Sequence, residues 1–278
     1  MHKFCLWGLL LVSLTATAAD IKFQKAGQLV KSLPDADLSK VAPAGSIEVY
    51  EPHEQQTIHY KGYRTADLFD AIFGAVWRKE EEVLFTCIDG YQPSIPVASF
   101  LASDSYLVFE RVGASEFGLT NKLQANEKVA LGPLYLVWDN IKTPALKAEG
   151  ASQWPYQIVG IDLVSFQSRF GGMAPAAGAS AAVKSGFLDF RKGCTNCHRI
   201  NGVGGEKSIE LNYPLSVTEY FRPGFLNKWI EQPQNVRFGS LMPPFNPDHP
   251  ERKKAIAGIV SYLEHMAQNK KKPAPAQP

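Results

Sequence analysis

The sequence predicts a two-domain protein, with an α+β domain built on a mixed sheet followed by an all-α domain. The chain has 278 residues, whereas a single domain typically has roughly 100–200. Strand-like runs alternate with short helical patterns in the first part, while the second part shows only helical patterns. An uncharged stretch rich in Gly and Ala, residues 171–182, separates the two parts. We therefore expect domains at 20–168 and 184–268, a linker at 169–183 and a disordered tail at 269–278.

The N-terminus resembles a secretory signal peptide. Lys3 precedes an apolar run from Phe4 to Leu14, and small residues follow as far as Ala19. The run is shorter than the ~20 apolar residues that span a bilayer, which disfavours a membrane anchor. We expect residues 1–19 to be removed and the mature protein to be periplasmic or otherwise exported, without a transmembrane segment.

The first domain is expected to contain six strands and a short helix. Thr65 to Phe73 shows apolar residues at helical spacing, with Thr65 placed to cap the helix. The strand-like runs are rich in β-branched and aromatic residues and are bounded by turn residues. They are Ser46 to Tyr50, Gln56 to Tyr60, Val83 to Ile88, Tyr106 to Arg111, Leu134 to Asp139 and Gln157 to Phe166.

The second domain is expected to contain three helices and no good strand. The patterns run over Phe187 to Arg199, Val217 to Gln232 and Glu251 to Asn269. In the last of these, residues 256, 259, 260, 263 and 266 form one apolar stripe, which assigns Met266 to the core.

Charge is unevenly distributed between the two parts. Residues 20–183 carry 14 basic and 19 acidic side chains, a net of −5, and residues 184–278 carry 14 basic and 8 acidic, a net of +6. The difference indicates either that the halves dock on each other or that the field steers protein partners; two unrelated solvated surfaces would explain it equally well. A basic bias this small, without interleaved aromatic residues, gives no support for nucleic-acid binding.

Three kinds of chemistry compete for the cluster Cys194, Cys197 and His198. A structural zinc site needs four ligands, usually as two short pairs, but the second part has no further cysteine and only His249 and His265 besides. A thioredoxin-type dithiol is expected beside a strand in a βαβ unit, whereas these surroundings are predicted to be helical. Cys-x-x-Cys-His is also the attachment sequence of c-type haem.

The haem interpretation explains more of the local sequence. On a helix, residues at i, i+3 and i+4 share one face, so two thiols could bond to the vinyl groups while the imidazole of His198 reaches the iron. Phe187 and Phe190 would extend that face. Met242 lies 44 residues after His198 in "FGSLMPPFNP", where Pro243 favours an extended, stiff backbone. It is the candidate second axial ligand, with His249 as its rival and Met173 assigned to the linker.

Residues 184–268 resemble a class I cytochrome c domain. The motifs are "GFLDFRKGCTNCHRINGVGG", "FLNKWIEQP", "LMPPF" and "IVSYLEHM". The resemblance implies a fold of three to five helices in which the N- and C-terminal helices cross. It also implies one covalent haem c on Cys194 and Cys197, axial ligands His198 and Met242, and a proline carbonyl, here that of Pro214, which orients the imidazole. Met/His ligation leaves no open iron site and gives a higher potential than His/His, which favours electron transfer.

Residues 46–166 resemble, more loosely, the molybdopterin-binding domain of the sulfite-oxidase superfamily. The similar stretches are "HYKGYRTADLFDAIF", "EVLFTCIDGYQPSIPVASFL", "VALGPLYLVWDN" and "QIVGIDLVSF". The resemblance implies that Cys87 could ligate molybdenum, with the Asp89 to Tyr91 turn and the Pro93 to Pro96 segment at the rim. The domain is shorter than typical members, and its phosphate-holding residues are not evident; His53, His59 and Arg64 are candidates by residue type alone. A lone cysteine in a strand is more often a small buried apolar residue.

The sequence thus leads to one preferred hypothesis and two alternatives. The preferred one is an exported monohaem cytochrome that exchanges single electrons with redox protein partners, fused to a molybdopterin-domain-like module without its cofactor. The first alternative is a molybdenum-dependent, sulfite-dehydrogenase-like oxidoreductase that passes electrons to its own haem. The second is a binding or assembly subunit whose haem is structural or sensory.

Overall fold

The computed structural model describes residues 19–124 and 126–273. The signal sequence as far as Ala18 and the last five residues of the expected tail lie outside this range. The first part contains eleven strands in the described residues: β1 (Asp20–Lys25), β2 (Gln28–Pro34), β3 (Ala44–Glu51), β4 (Gln56–Arg64), β5 (Glu82–Cys87), β6 (Ser94–Pro96), β7 (Ser105–Arg111), β8 (Gly118–Asn121), β9 (Glu127–Ala130), β10 (Tyr135–Trp138) and β11 (Ile158–Val164).

The remaining elements are mainly helical. The α-helices are α1 (Thr65–Phe73), α2 (Val97–Ala102), α3 (Phe166–Phe170), α4 (Ala181–Gly193), α5 (Val217–Tyr220), α6 (Phe225–Glu231), α7 (Pro233–Val236) and α8 (Arg252–Ala267). The 3-10 helices are Asp35–Lys40, Ala75–Lys79, Pro144–Glu149, Gly171–Met173 and Cys194–Asn196. Two short strands, β12 (Arg199–Ile200) and β13 (Val203–Gly204), form a hairpin in the second part, where we had expected no strand.

Two sheets organise the first part. The five-stranded sheet has the order β2-β1-β11-β5-β6, in which β1 and β11 are parallel and the other pairs are antiparallel. The four-stranded sheet has the antiparallel order β10-β7-β4-β3. An α+β fold with a mixed sheet is therefore confirmed. All six expected strands are present, because runs rich in β-branched and aromatic residues and bounded by turn residues favour strands.

Helix α1 occupies the predicted residues, but its predicted cap is wrong. The N-cap is Arg64, whose side chain makes no capping hydrogen bond. Thr65 is fully buried, and its Oγ1 lacks a hydrogen-bond partner among the described residues. Burial of Leu68 and Phe69 on the sheet, and not the cap, therefore accounts for most of the stability of this helix.

The second part is built on the contact between α4 and α8. Phe187 and Phe190 of α4 lie against Tyr262 of α8, with ring centroids 5.2 and 5.0 Å apart. At Gly186 the backbones approach so closely that a Cβ atom there would lie 1.8 Å from the carbonyl oxygen of Gly258. In the apolar stripe predicted for the last helix, Met266 and residues 256, 259 and 263 are buried, and Val260 is partly buried.

The hydrophobic cluster of the second part extends into the first part. Leu84 of β5 and Val164 of β11 belong to the same buried cluster as Phe187 and Ile259. Met173, which we had placed in a linker, is fully buried in this cluster, and its carbonyl accepts a hydrogen bond of 2.7 Å from Tyr262. Segment 169–183 is therefore packed against the second part and does not behave as a free tether.

The helix expected from Val217 to Gln232 is interrupted. Helix α5 ends at Tyr220 because Phe221 is extended. Pro223 follows two residues later, and proline disfavours a helical conformation of the preceding residue. Within residues 19–124 and 126–273, no helix is both long enough and apolar enough to cross a membrane.

Candidate functional site

The Cys-x-x-Cys-His motif lies on a tight turn after α4, not on a continuous helix. Helix α4 ends at Gly193, and Cys194–Asn196 forms a 3-10 turn. The backbone N–H groups of Cys197 and His198 both donate to the carbonyl of Cys194, at 3.2 and 2.9 Å. These two bonds keep the three side chains within one turn.

The helix predicted as far as Arg199 ends early, at Gly193, and the next carbonyls of the motif accept hydrogen bonds from other segments of the chain. The carbonyl of Thr195 accepts from the N–H of Gly205 at 2.7 Å, and that of Asn196 accepts from Gln92 at 2.7 Å. The carbonyl of Cys197 accepts from Ser208 at 2.8 Å. The backbone of residues 195–197 therefore bonds to other segments of the chain instead of continuing the helix. Phe187 and Phe190 are buried in the hydrophobic cluster against which Cys194 also packs, so their expected place on the side of Cys194 stays a prediction.

Both thiols of the motif are protonated at neutral pH. Burial raises the pKa of Cys194 to about 12 and that of Cys197 to about 11. A thioredoxin-type dithiol requires the opposite shift, since its reactive species is a thiolate stabilised by a lowered pKa. No group of three or more His, Cys, Asp or Glu side chains in the described part of the chain could hold a metal ion. Neither observation supports the dithiol or the zinc alternative.

His198 is oriented by a backbone carbonyl. Its Nδ1 lies 2.9 Å from the oxygen of Ile209. Because a carbonyl can only accept, Nδ1 carries the proton and the lone pair lies on Nε2. Burial lowers the pKa of His198, although the bond to Ile209 and the charge of Glu210 oppose this shift. A neutral imidazole with a fixed tautomer is suited to bind a metal through Nε2.

The carbonyl that orients His198 is not the one we expected. The oxygen of Pro214 accepts instead from Nζ of Lys270, at 3.2 Å. The tight loop after the motif turns back earlier, through the β12–β13 hairpin, and brings Ile209 to the imidazole. The prediction for Pro214 is therefore wrong.

Met242 is held by α6. Its Sδ accepts a hydrogen bond of 3.0 Å from Nε1 of Trp229. Its backbone oxygen accepts from Nε2 of Gln234 at 2.9 Å, and its N–H donates to Ser240 at 3.3 Å. Trp229 therefore holds the thioether of Met242, while Gln234 and Ser240 hold its backbone.

The rival ligand His249 already interacts with neighbouring groups. Its Nδ1 accepts a hydrogen bond of 3.2 Å from the N–H of Glu251. Its Nε2 lies 3.9 Å from a carboxylate oxygen of Asp189, and its ring packs on Phe245 with centroids 5.4 Å apart. Both Met242 and His249 thus contact neighbouring groups, and Met242 stays the predicted ligand.

The first part of the chain covers one side of the motif. Thr195 and Asn196, the two residues between the cysteines, are buried. The amide of Asn196 donates to the hydroxyl of Tyr91 at 2.8 Å and to the carbonyl of Ser152 at 3.1 Å. The two cysteines and His198 are less buried than the residues between them and remain partly accessible.

Ion pairs across this contact join the acidic part to the basic part. Lys207 Nζ lies 2.6 Å from a carboxylate oxygen of Asp89, and Arg191 pairs with the buried Glu82. Burial alone would lower the pKa of Lys207, but the hydrogen bond to Asp89 leaves it raised. Of the three explanations for the charge asymmetry, these contacts favour docking of the two halves.

Cys87 lies at the end of β5 in the main core and is 3% exposed. Burial, assisted by the charge of Asp89, raises the pKa of its thiol, so the group is a neutral thiol. The rim turn next to it is covered by the second part of the chain: the N–H of Glu206 donates to the carbonyl of Gly90 at 2.9 Å. A Cβ atom on Gly90 would lie 3.0 Å from the backbone of Glu206, so the approach is close. In the other rim segment, Ser94–Pro96 is paired with β5 as an edge strand.

The three residues considered for phosphate binding are all paired with carboxylates. His53 Nδ1 lies 2.8 Å from the buried Glu51, and His59 Nε2 lies 2.5 Å from Glu48. Arg64 donates to Asp104 at 2.7 Å and also pairs with Asp67. Two of the three belong to β4 of the four-stranded sheet, whereas Cys87 belongs to the other sheet. Their arrangement offers no common anion site beside Cys87.

Sequence reasoning missed several residues of the site. Ile209 contributes only its backbone oxygen, which has no side-chain signature. Trp229 and Asn196 were inside quoted motifs, but nothing in their spacing revealed their partners. Glu210, two residues before the "NY" of "LNYP", could have been noticed as an acidic side chain in a turn-rich loop.

In comparisons with known proteins, no protein-family model matches the chain, and no curated protein matches it.

Proposed function

We propose that this protein is an exported monohaem c-type cytochrome that transfers single electrons, and that its first domain is a docking module without a metal cofactor. The observation that carries the proposal is the orientation of His198 directly after two free cysteines. Its Nδ1 is bonded to Ile209, and Nε2 is left for a metal. In a c-type haem site the motif histidine has this role.

Each residue of the proposed site has a distinct role. The thiols of Cys194 and Cys197 provide the two covalent bonds, and both are available because neither forms a disulfide. Nε2 of His198 and the thioether sulfur of Met242 would hold the iron. When bound, the haem supplies an iron centre that accepts and releases one electron.

The surroundings of Met242 favour electron transfer over ligand chemistry. Trp229 holds the thioether, while Gln234 and Ser240 hold the backbone. A thioether held in this way would stay on the iron as the electron arrives and leaves, and it would keep small molecules away from the metal.

The contact between the domains supports a docking role for the first domain. Asn196, Glu206 and Lys207 lie on the Asp89 to Tyr91 turn, where a ligand would enter in a molybdopterin domain. In this arrangement the first domain binds the second through the turn beside Cys87. The alternative, a molybdenum-dependent oxidoreductase, would need this turn to be open.

Haem attachment is tested on the full-length protein, exported by a bacterial host that matures c-type cytochromes. We expect one haem per chain that stays bound after denaturation, and its loss in the double variant Cys194→Ala/Cys197→Ala. Met242→Ala should keep the covalent haem but lose the sulfur-to-iron charge-transfer band of the oxidised protein. Met266→Leu, a change in the core, is the matched control and should retain the band. Wild-type protein without covalent haem would refute the proposal.

The docking role is tested by metal analysis of protein from a host that makes both cofactors. We expect no stoichiometric molybdenum, whether Cys87 is present or replaced by Ala. Molybdenum at about one atom per chain that disappears in Cys87→Ala would instead establish the oxidoreductase. Reversible potentiometry of the haem separates an electron carrier from a subunit whose haem is structural, since the latter would not cycle.

A further inference from the structure

The carboxylate of Glu210 binds four backbone N–H groups from two turns of the loop after the motif. Oε1 accepts from Asn201 at 2.9 Å, from Asn212 at 2.9 Å and from Tyr213 at 3.2 Å, and Oε2 accepts from Gly202 at 2.8 Å. Hydrogen bonds to an ionised acceptor are about twice as strong as neutral ones. This one side chain therefore ties the β12–β13 turn to the segment that follows Glu210.

The bound carboxylate is directly connected to the carbonyl that orients His198. The carbonyl of Ile209 and the N–H of Glu210 belong to one planar peptide unit. The next residue, Leu211, donates its N–H to the carbonyl of Arg199 at 2.9 Å, which holds the chain on the other side. Ile209 is 61% exposed, so its side chain provides little anchoring of its own. The direction of the Ile209 carbonyl therefore depends on Glu210.

We propose that Glu210 is a positioning residue that holds the carbonyl of Ile209 on Nδ1 of His198 and thereby sets the reduction potential of the haem. This inference rests on the proposed function. A carbonyl bonded to Nδ1–H fixes the tautomer and makes Nε2 a more basic ligand. The negative charge of Glu210 also acts on the imidazole. Both effects favour the oxidised iron, which carries the higher positive charge.

A purely structural role would give a different result. If Glu210 only held the loop together, its removal would lower stability, and the potential of the remaining folded protein would not change. The two roles are therefore separated by a measurement on the haem itself, made together with a measurement of unfolding.

The experiment compares Glu210→Ala, Glu210→Gln and the control Glu206→Gln in the full-length protein with haem attached. Glu206 lies in the same loop, its side chain is 64% exposed, and its contact with Arg199 is 3.5 Å long. Equilibrium redox titration gives the midpoint potential, and the charge-transfer band verifies that Met242 still binds. We expect Glu210→Ala to favour the reduced form by about tenfold, which is about 59 mV for a one-electron couple. Glu210→Gln, which keeps one acceptor oxygen, should shift in the same direction by less, and Glu206→Gln should match the wild type.

The inference is overturned if haem is attached and Glu210→Gln and Glu210→Ala both titrate with the wild-type potential, even if they unfold more easily. If Glu210→Ala does not fold, Glu210→Gln decides the question alone, and an unchanged potential then overturns it. Wild-type protein without covalent haem would overturn the proposed function and this inference together, so the two failures are distinguishable.

Discussion

The close backbone contact between α4 and α8 at Gly186 predicts that the substitution Gly186→Ala strongly destabilises the fold. A Cβ atom at residue 186 would lie 1.8 Å from the carbonyl oxygen of Gly258, 2.1 Å from its carbonyl carbon and 2.7 Å from the backbone nitrogen of Ile259. All three atoms belong to the backbone of α8, so no side-chain rotation relieves the clash. The two helices must move apart.

The magnitude follows from opposing effects. Alanine is favoured over glycine inside a helix by about 1 kcal/mol. Inserting one carbon into a packed core costs about 1–3 kcal/mol or more, and this site lies at the severe end because backbone must move. Separation of the helices would also weaken the packing of Phe187 and Phe190 on Tyr262. We expect a net loss of about 2 kcal/mol in the free energy of unfolding, within the range typical of a damaged core.

The assay is urea unfolding followed by circular dichroism, with two matched variants. In Gly258→Ala the nearest atom to the new Cβ is 3.1 Å away, and in Gly193→Ala no atom lies within 4 Å. The expected order of destabilisation is Gly186→Ala, then Gly258→Ala, with Gly193→Ala close to neutral. If Gly186→Ala were as stable as Gly193→Ala, the close helix contact described above would be incorrect.

Three further predictions concern the domain contact, the acid stability and the axial ligand. Asn196→Ala removes the hydrogen bonds to Tyr91 and Ser152 and should increase protease cleavage between the domains, whereas a rate equal to wild type would show that these bonds do not hold the contact. Burial alone would raise the pKa of Glu54, but hydrogen bonds from Arg111 and Thr120 leave this pKa lowered. The ionised Glu54 therefore stabilises the folded protein fully above the unfolded pKa of about 4.3. This stabilisation is lost as the pH falls through the lower folded pKa. Glu54→Gln should accordingly be less stable than wild type at neutral pH in urea titrations, with a difference that shrinks in acid; a constant difference would contradict the assignment. Trp229→Phe should weaken the hold on Met242 and shift the charge-transfer band of the haem-loaded protein, and an unchanged band would show that this bond is irrelevant to the iron.

Several parts of this structure were predictable because their causes are local. The strands β3, β4, β5, β7, β10 and β11 follow runs of β-branched and aromatic residues, and α8 follows an apolar stripe with helical period. The end of the helix at the motif was not predictable. It depends on Gln92 and on residues 205 and 208, which bond the carbonyls of the motif from other segments of the chain.

The orientation of His198 illustrates the same division within the site. The residue type and its position after Cys197 were sufficient to identify a ligand candidate. Its partner was assigned to Pro214 but is Ile209, because the β12–β13 hairpin shortens the path of the loop. A backbone oxygen is available in every residue, so no sequence pattern indicates which one is used.

The sequence by itself determined the strands of the first part, the apolar face of α8 and the cluster Cys194, Cys197 and His198, since periodicity and spacing act over a few residues. Only the tertiary structure decided that Asn196 and Lys207 lie on the turn beside Cys87, and that Glu210 holds the loop that orients His198. These contacts join segments more than a hundred residues apart in the first case and depend on the path of a loop in the second. Their stability comes from charge pairing and backbone hydrogen bonds, which leave little trace in the order of the residues.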